Sequence, residues 1–308
     1  MPPPPASAFV WASTVFRVVN KAMAIIRWIR TKVRAYLTLI KSMQTGLLLS
    51  TGLAGYLSAH TAPDLGVLSG LALSLTLAIS GSTILNMWYD CDIDTLMNRT
   101  HNRPLAAGKV TKPEALWLGL ILSLVGVGWA FALNGLYGLV VFAGLFIDVV
   151  VYTIWLKRRT SWSILWGGIS GGMPILAGRV LATGQVDIVG LLLMMAVLFW
   201  IPTHILTFTM RYFDDYQAAR IPSFCSSYGF DATRAIIALS AIIAAASIGV
   251  AGVMIGVQAG ALRLMAVLSS GLLLLSFATV FRPSEQVNFS LFKYASIYML
   301  ASMILLSL

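Results

Sequence analysis

The chain has 308 residues, 58% of them apolar and 10% charged, with a net charge of +10 and a mean hydropathy of +0.86. That composition excludes a soluble globule or a disordered chain and implies a polytopic membrane protein. The basic excess needs no nucleic acid, because nineteen of the twenty-one Lys and Arg residues fall on one side of the topology that the apolar spans define.

Pro2 to Pro5 predict a disordered tail. From Phe9 to Arg34, apolar residues alternate with Arg17, Lys21, Arg27, Arg30, Lys32 and Arg34, and no acid precedes Asp64. This predicts a basic amphipathic helix on an anionic leaflet, with a transit peptide as the alternative. Residues 1–35 are therefore assigned to tail plus interfacial helix, and 36–308 to one transmembrane domain. Nine apolar spans follow, at 36–59, 65–88, 113–133, 135–156, 161–183, 186–212, 232–256, 259–281 and 288–307. The charge bias puts the N-terminus inside and the C-terminus outside, in a prokaryotic plasma membrane or, alternatively, the mitochondrial inner membrane. Cys91 and Cys225 both fall on the inner side, where a disulfide is not expected.

Lys41, near the start of the first span, either snorkels to the interface or reaches a phosphate. The second span ends in NMWYDCDIDTLMNRTHNRPLAAG, Asn86 to Gly108. On a continuous helix Asn86, Asp90 and Asp94 form one stripe, since residues four apart lie on one face. Two carboxylates in one small space suit Mg²⁺, which accepts one or two of them and completes its shell with water and phosphate. Arg99, Arg103 and Lys109 follow and suit a diphosphate. Pro104 and Gly108 break the loop that carries them, as in a lid.

Asp148, inside the fourth span, is expected to be functional or paired with a neighbouring helix. Tyr152, Trp155 and the run LKRRT (Leu156 to Thr160) follow it. The fifth span is glycine-rich, as closely packed membrane helices are. The sixth carries Pro202 and His204 and ends in RYFDDYQAARIPSF, with Asp214 and Asp215 on the same face as Asp90 and Asp94. Two acidic clusters at the mouth of an apolar bundle form a site for metal-bridged diphosphate, with the attached hydrocarbon in the interior. His204 is either a helix-to-helix hydrogen bonder or a ligand.

These runs carry a resemblance. NMWYDCDIDTLMNRTHNRPLAAG resembles the first aspartate-rich motif of the UbiA superfamily of intramembrane prenyltransferases, and its ending is similar to the protoheme IX farnesyltransferase branch. VYTIWLKRRTSWSILWGGISGGMP and PTHILTFTMRYFDDYQAARIP are similar to the same branch. The chain departs from it at Thr203, at the altered glycine-rich helix from Met173 to Arg179, and at Arg220, where the branch has Gly.

The resemblance implies an all-α bundle of about nine transmembrane helices around a central cavity open to the lipid. It implies that Asp90, Asp94 and Asp215, assisted by Asp214 and Asn86, hold Mg²⁺ on farnesyl diphosphate, while Lys41, Arg99, Arg103 and Lys157 balance the remaining charge. Tyr152 and Trp155 would face the allylic cation. Heme B would be the acceptor, and His204 would then be placed to hold its iron. The rival readings are transfer to a quinone precursor or archaeal lipid, and a transporter of an anionic amphiphile that performs no chemistry.

Overall fold

The computed structural model describes residues 6–59 and 62–307, with side chains described from Asn20 onward except that of Trp28. The disordered tail expected at Pro2 to Pro5 lies outside the described residues. Helix α1, Ala6–Leu39, carries the predicted interfacial segment beyond residue 35 into the first expected span. Its exposed face includes Ile26, Ile29 and Val33. It ends where Lys41 takes a positive φ of 45°, and α2 (Ser42–Leu57) follows with 16 residues. Near that break the Lys32 ammonium and the Tyr36 hydroxyl both reach Glu114. Below this cluster Leu37, Ile40, Leu118 and Ile121 line an apolar groove of about 470 Å³.

Asp64 accepts from the amides of Gly66 and Val67 to start α3, Leu65–Tyr89, and the four-residue α4 covers Cys91–Asp94. Thr111 and Glu114 form a capping box at the start of α5, Lys112–Leu133. Helix α6, Gly135–Phe146, runs on into a π-helical segment, Ile147–Leu156. Then come α7 (Ser163–Thr183), α8 (Ile188–Arg211), the short α9 (Phe213–Ala218), α10 (Phe224–Ile255), α11 (Ala259–Phe281) and α12 (Glu285–Leu305).

Each expected span falls on a helix. Among the described residues seven helices are long and apolar enough to cross a membrane: α3, α5, the joined α6 and π segment, α7, α8, α10 and α11. The other two fall short for separate reasons. Lys41 cuts α2 to a length below the usual crossing, and the first turns of α12 carry Glu285, Gln286, Asn288 and Lys293. Helix α10 begins before the predicted span because an extra turn precedes Gly229, whose φ of 82° breaks the helix there.

Most of the apolar interior lies in two clusters. One is built from α2, α3, α5, α6 and α7 around Tyr137, Leu75 and Val180. The other is built mainly from α8, α10, α11 and α12 around Trp200, Ile237 and Tyr298. They meet at α7, whose Ile175 belongs to the second and Leu176 to the first. Helices α2 and α7 touch through their backbones: a Cβ on Gly55 would meet the Ile175 carbonyl oxygen, and one on Gly178 the Gly52 carbonyl oxygen. In lipid, where burial of apolar surface does not drive helices together, such close approach supplies the attraction. Gly178→Val should therefore destabilise the detergent-solubilised protein by about 2 kcal/mol, while Gly46→Val, where a Cβ meets nothing, should leave the unfolding midpoint nearly unchanged.

Candidate active site

The continuous stripe expected over Asn86, Asp90 and Asp94 is interrupted. Helix α3 ends at Tyr89, and Asp90 caps it with φ −83° and ψ 4° before the chain turns into α4. The three side chains consequently take different partners. The Asn86 amide donates to Asp148 Oδ2 at 2.7 Å and its oxygen accepts from the Thr153 hydroxyl at 2.9 Å. Asp90 pairs with the Lys157 ammonium. Asp94 accepts from Arg103 Nη1 through both oxygens, each at 2.8 Å.

Asp90 and Asp94 are only 3% and 4% exposed. Ions so buried are stable only when paired, and removal of one partner costs much more than a surface pair contributes. Asp92 is exposed but receives two hydrogen bonds from Arg158 at 2.8 and 2.7 Å. The Arg158 guanidinium holds the Asp92 carboxyl below the usual carboxylate range.

The π-helical segment puts these cations in register. Lys157 N–H bonds to the Tyr152 carbonyl, five residues back. Nine α-helical steps from Asp148 to Lys157 would amount to about half a turn and put the two on opposite faces. At roughly 4.4 residues per turn in a π-helix, both lie on one face. Asp148 there meets Ser82 and Asn86, and its other oxygen lies 3.5 Å from the Ser170 hydroxyl. Tyr152 packs against Gly167, with the Lys157 ammonium 5.8 Å from its ring centre. The same geometry carries Trp155 away from that face, and it is 54% exposed. Lys41, partly buried, interacts electrostatically with Arg103, Lys157, Asp148 and Asp94.

The second acidic pair divides. Asp214 is exposed, whereas Asp215 is buried and accepts from the backbone amides of Asn98 and Arg99 at 3.2 and 3.1 Å. Beside it Ile93 and Met97 pack against Ala219 and Ile221. The Arg99 guanidinium lies over the rings of Phe208 and Tyr212, at 4.8 and 5.7 Å. The two acidic segments are thus joined by a carboxylate, two amides and a small apolar contact. His204 is placed elsewhere, stacked between Trp200 at 5.0 Å and Phe292 at 4.3 Å, with the Ser296 hydroxyl 3.4 Å from Nδ1.

Among the described residues no three Asp, Glu, His or Cys side chains converge closely enough to cage a metal ion. The carboxylates turn instead to Lys157, Arg103 and the loop amides. Asp90 Oδ1, however, is buried without a hydrogen-bond partner, with Arg158 Nη2 at 3.8 Å. Such a donor set suits an ion that shares its shell with phosphate oxygens rather than one enclosed by protein. Arg158 and Thr153, which lie in the run VYTIWLKRRT but were given no role of their own, complete the cluster with Ser82, which no motif marks.

Arg220 stands where the resembling branch has Gly and takes a φ of 51°. Replacing Lys157 by Met should cost about 3 kcal/mol by stranding the Asp90 carboxylate. Unfolding of Lys157→Met should be largely corrected in the Lys157→Met, Asp90→Asn double variant. Arg220→Gly should raise stability by about 1 kcal/mol, since only Gly accepts a positive φ without steric cost. A thermal-shift measurement in detergent checks both.

Comparison with known proteins gives a consistent picture. The model of the UbiA prenyltransferase family matches residues 47–300. A protoheme IX farnesyltransferase of Korarchaeum cryptofilum is 38% identical over 214 residues, covering 70% of this chain and 72% of that protein. One of Archaeoglobus fulgidus is 40% identical over 218 residues, covering 68% and 77%. Among solved structures, a UbiA homologue from Aeropyrum pernix superposes with a TM-score of 0.69 at 22% identity, over 85% of this chain and 94% of that one. A UbiA homologue from Archaeoglobus fulgidus, bound to GPP and Mg²⁺, superposes with a TM-score of 0.66 at 15% identity, over 89% and 100%. At these identities the structural likeness shows the fold.

Proposed function

Because the chain belongs to the UbiA prenyltransferase family, we propose that this integral membrane prenyltransferase moves a farnesyl group from farnesyl diphosphate to protoheme IX. The observation that carries the reading is the pair of buried carboxylates, Asp90 and Asp94, each matched to a basic side chain at one end of an apolar bundle. The names of the farnesyltransferases at 38% and 40% identity support farnesyl and heme B as the two substrates.

Asp90, with Oδ1 free, Asp94 and Asp215 would hold Mg²⁺, assisted by Asn86 and Asp214, and the ion would supply charge neutralisation at the diphosphate. Lys157 and Arg103 leave their carboxylates and bond to phosphate oxygens, joined by Lys41 and Arg99. Asp148 and Thr153 fix the Asn86 amide so that it does not rotate as the pairs change. The allylic C–O bond breaks with its electrons passing to the diphosphate, whose negative charge these cations stabilise more strongly as it grows. Tyr152 offers its ring face to the carbocation. A vinyl carbon of the acceptor forms the new C–C bond, and water adds at the neighbouring carbon, releasing a proton. Trp155 is left out of this step by its outward position. The rings that cover both faces of His204 leave its in-plane nitrogens, through which an imidazole would hold iron.

The charge bias supports an N-terminus and acidic mouth on the cytoplasmic side of a prokaryotic plasma membrane. Incubation of the purified protein with farnesyl diphosphate, Mg²⁺ and heme B should release pyrophosphate and yield a farnesylated heme by mass. Asp90→Asn should lower that rate by roughly a hundredfold or more. Pyrophosphate release only with a hydroxybenzoate acceptor would refute heme as substrate.

A further inference from the structure

Outside the cluster of carboxylates, the ends of α8 and α12 form a second polar feature with no assigned role. Four rings from these two helices lie nearly parallel. Trp200 and His204 are 15° apart, His204 and Phe292 20°, and Phe292 and Phe289 8°. Two cations stand over the last ring, Arg211 at 4.2 Å and Lys293 at 4.4 Å from the Phe289 centre. Neither forms an ion pair among the described residues, although six other Lys and Arg side chains do. Between the two helices lies a cleft with about 30 Å³ of free volume, lined by Arg211, Asn288, Phe289, Phe292 and Phe208. Asn288 Oδ1, in its wall, is buried without a partner. The cleft adjoins the acidic loops through Phe208, since the Arg99 guanidinium rests on that ring while the Arg99 amide holds Asp215.

We propose that this cleft is the anchoring site for the carboxylate groups of a planar acceptor. Arg211 and Lys293 are the residues that hold them. The inference rests on the acceptor being a porphyrin, as above. Free volume of this size admits a carboxylate and a bridging water but no macrocycle, so the macrocycle lies outside it, against the exposed edges of Phe208 and Phe292. Two cations held at one ring match the two propionates on one side of protoheme IX. The vinyl groups are on the opposite half of that macrocycle and so point away from the anchor. Cations already placed on an aromatic face lose less freedom on binding than free side chains. A lipid phosphate has a related chemistry and is the competing occupant.

The test is absorbance titration of the full-length protein in detergent with heme B and with its dimethyl ester. Wild type should favour the diacid by about tenfold, as expected for charge-assisted bonds from two exposed cations held over one aromatic ring. The Arg211→Gln, Lys293→Gln double variant should lose that preference while its KM for farnesyl diphosphate stays unchanged, which also shows that it is folded. Arg211→Lys should keep part of the preference. Equal affinity of wild type for diacid and ester overturns the proposal. So does an intact preference in the double variant, or a double variant that loses only binding of phosphatidylglycerol in mixed micelles. Discrimination between diacid and ester without any farnesyl transfer would support the cleft and sink the reaction instead.

Discussion

A carboxylate enclosed by apolar helices must meet a positive charge or a set of hydrogen-bond donors, and the construction of the charged end follows from that requirement. Asp90 draws Lys157, and with it the π-helical segment, against the end of α3. Asp94 draws Arg103 back over α4 and so closes the loop that follows. Asp215 draws the amides of Asn98 and Arg99 and joins the end of α8 to the same loop. In lipid, where helices gain no hydrophobic attraction for one another, polar links of this kind decide which segments meet.

The residue types of this cluster were legible in the sequence, but their partners were not. Aspartates at spacings of four fit one helix face, and that reading depends on an unbroken helix; Asp90 breaks it. The α-helical period puts Asp148 opposite Lys157, whereas the π-helical segment turns both toward α3. No residue pattern in IDVVVYTIWL announces a π-helix, because the cause lies in tertiary contacts of Asp148 and Lys157 rather than in local preference. The same change of period explains why Tyr152 and Trp155, close neighbours in the chain, separate into a packed residue and an exposed one. Seven of the nine expected spans were readable as crossing helices among the described residues, since lipid imposes a single composition on every helix that crosses it. The break between α1 and α2 and the extra turn before Gly229 were not, because one positive φ decides each boundary.

The second acidic pair shows the same division. Adjacent residues on a helix diverge, so the sequence required Asp214 and Asp215 to face different ways without telling which faces inward. The contact of Ile93 and Met97 with Ala219 and Ile221 decides it, by turning Asp215 toward the loop amides. Arg220, next to that contact, holds a conformation suited to glycine. The substitution keeps the turn and adds a charge, so it bears on the rim of the site more than on the position of Asp215.

Rigidity and adjustability are separated along the bundle. Backbone contact between α2 and α7 at Gly55 and Gly178 leaves no room there for even an added methyl group. The charged end is adjustable in another sense. Lys157 and Arg103 neutralise carboxylates, and in the reaction proposed above they would transfer to phosphate oxygens as the carboxylates took the cation. Every charge has a partner before and after, so the exchange needs no charge to stand alone in a medium of low dielectric constant. Because the cations start within reach of the carboxylates they serve, little reorganisation is left for the moment at which the C–O bond breaks. On the proposed reading, the preformed ion pairs are therefore what would keep a diphosphate site stable in a membrane while no diphosphate is bound.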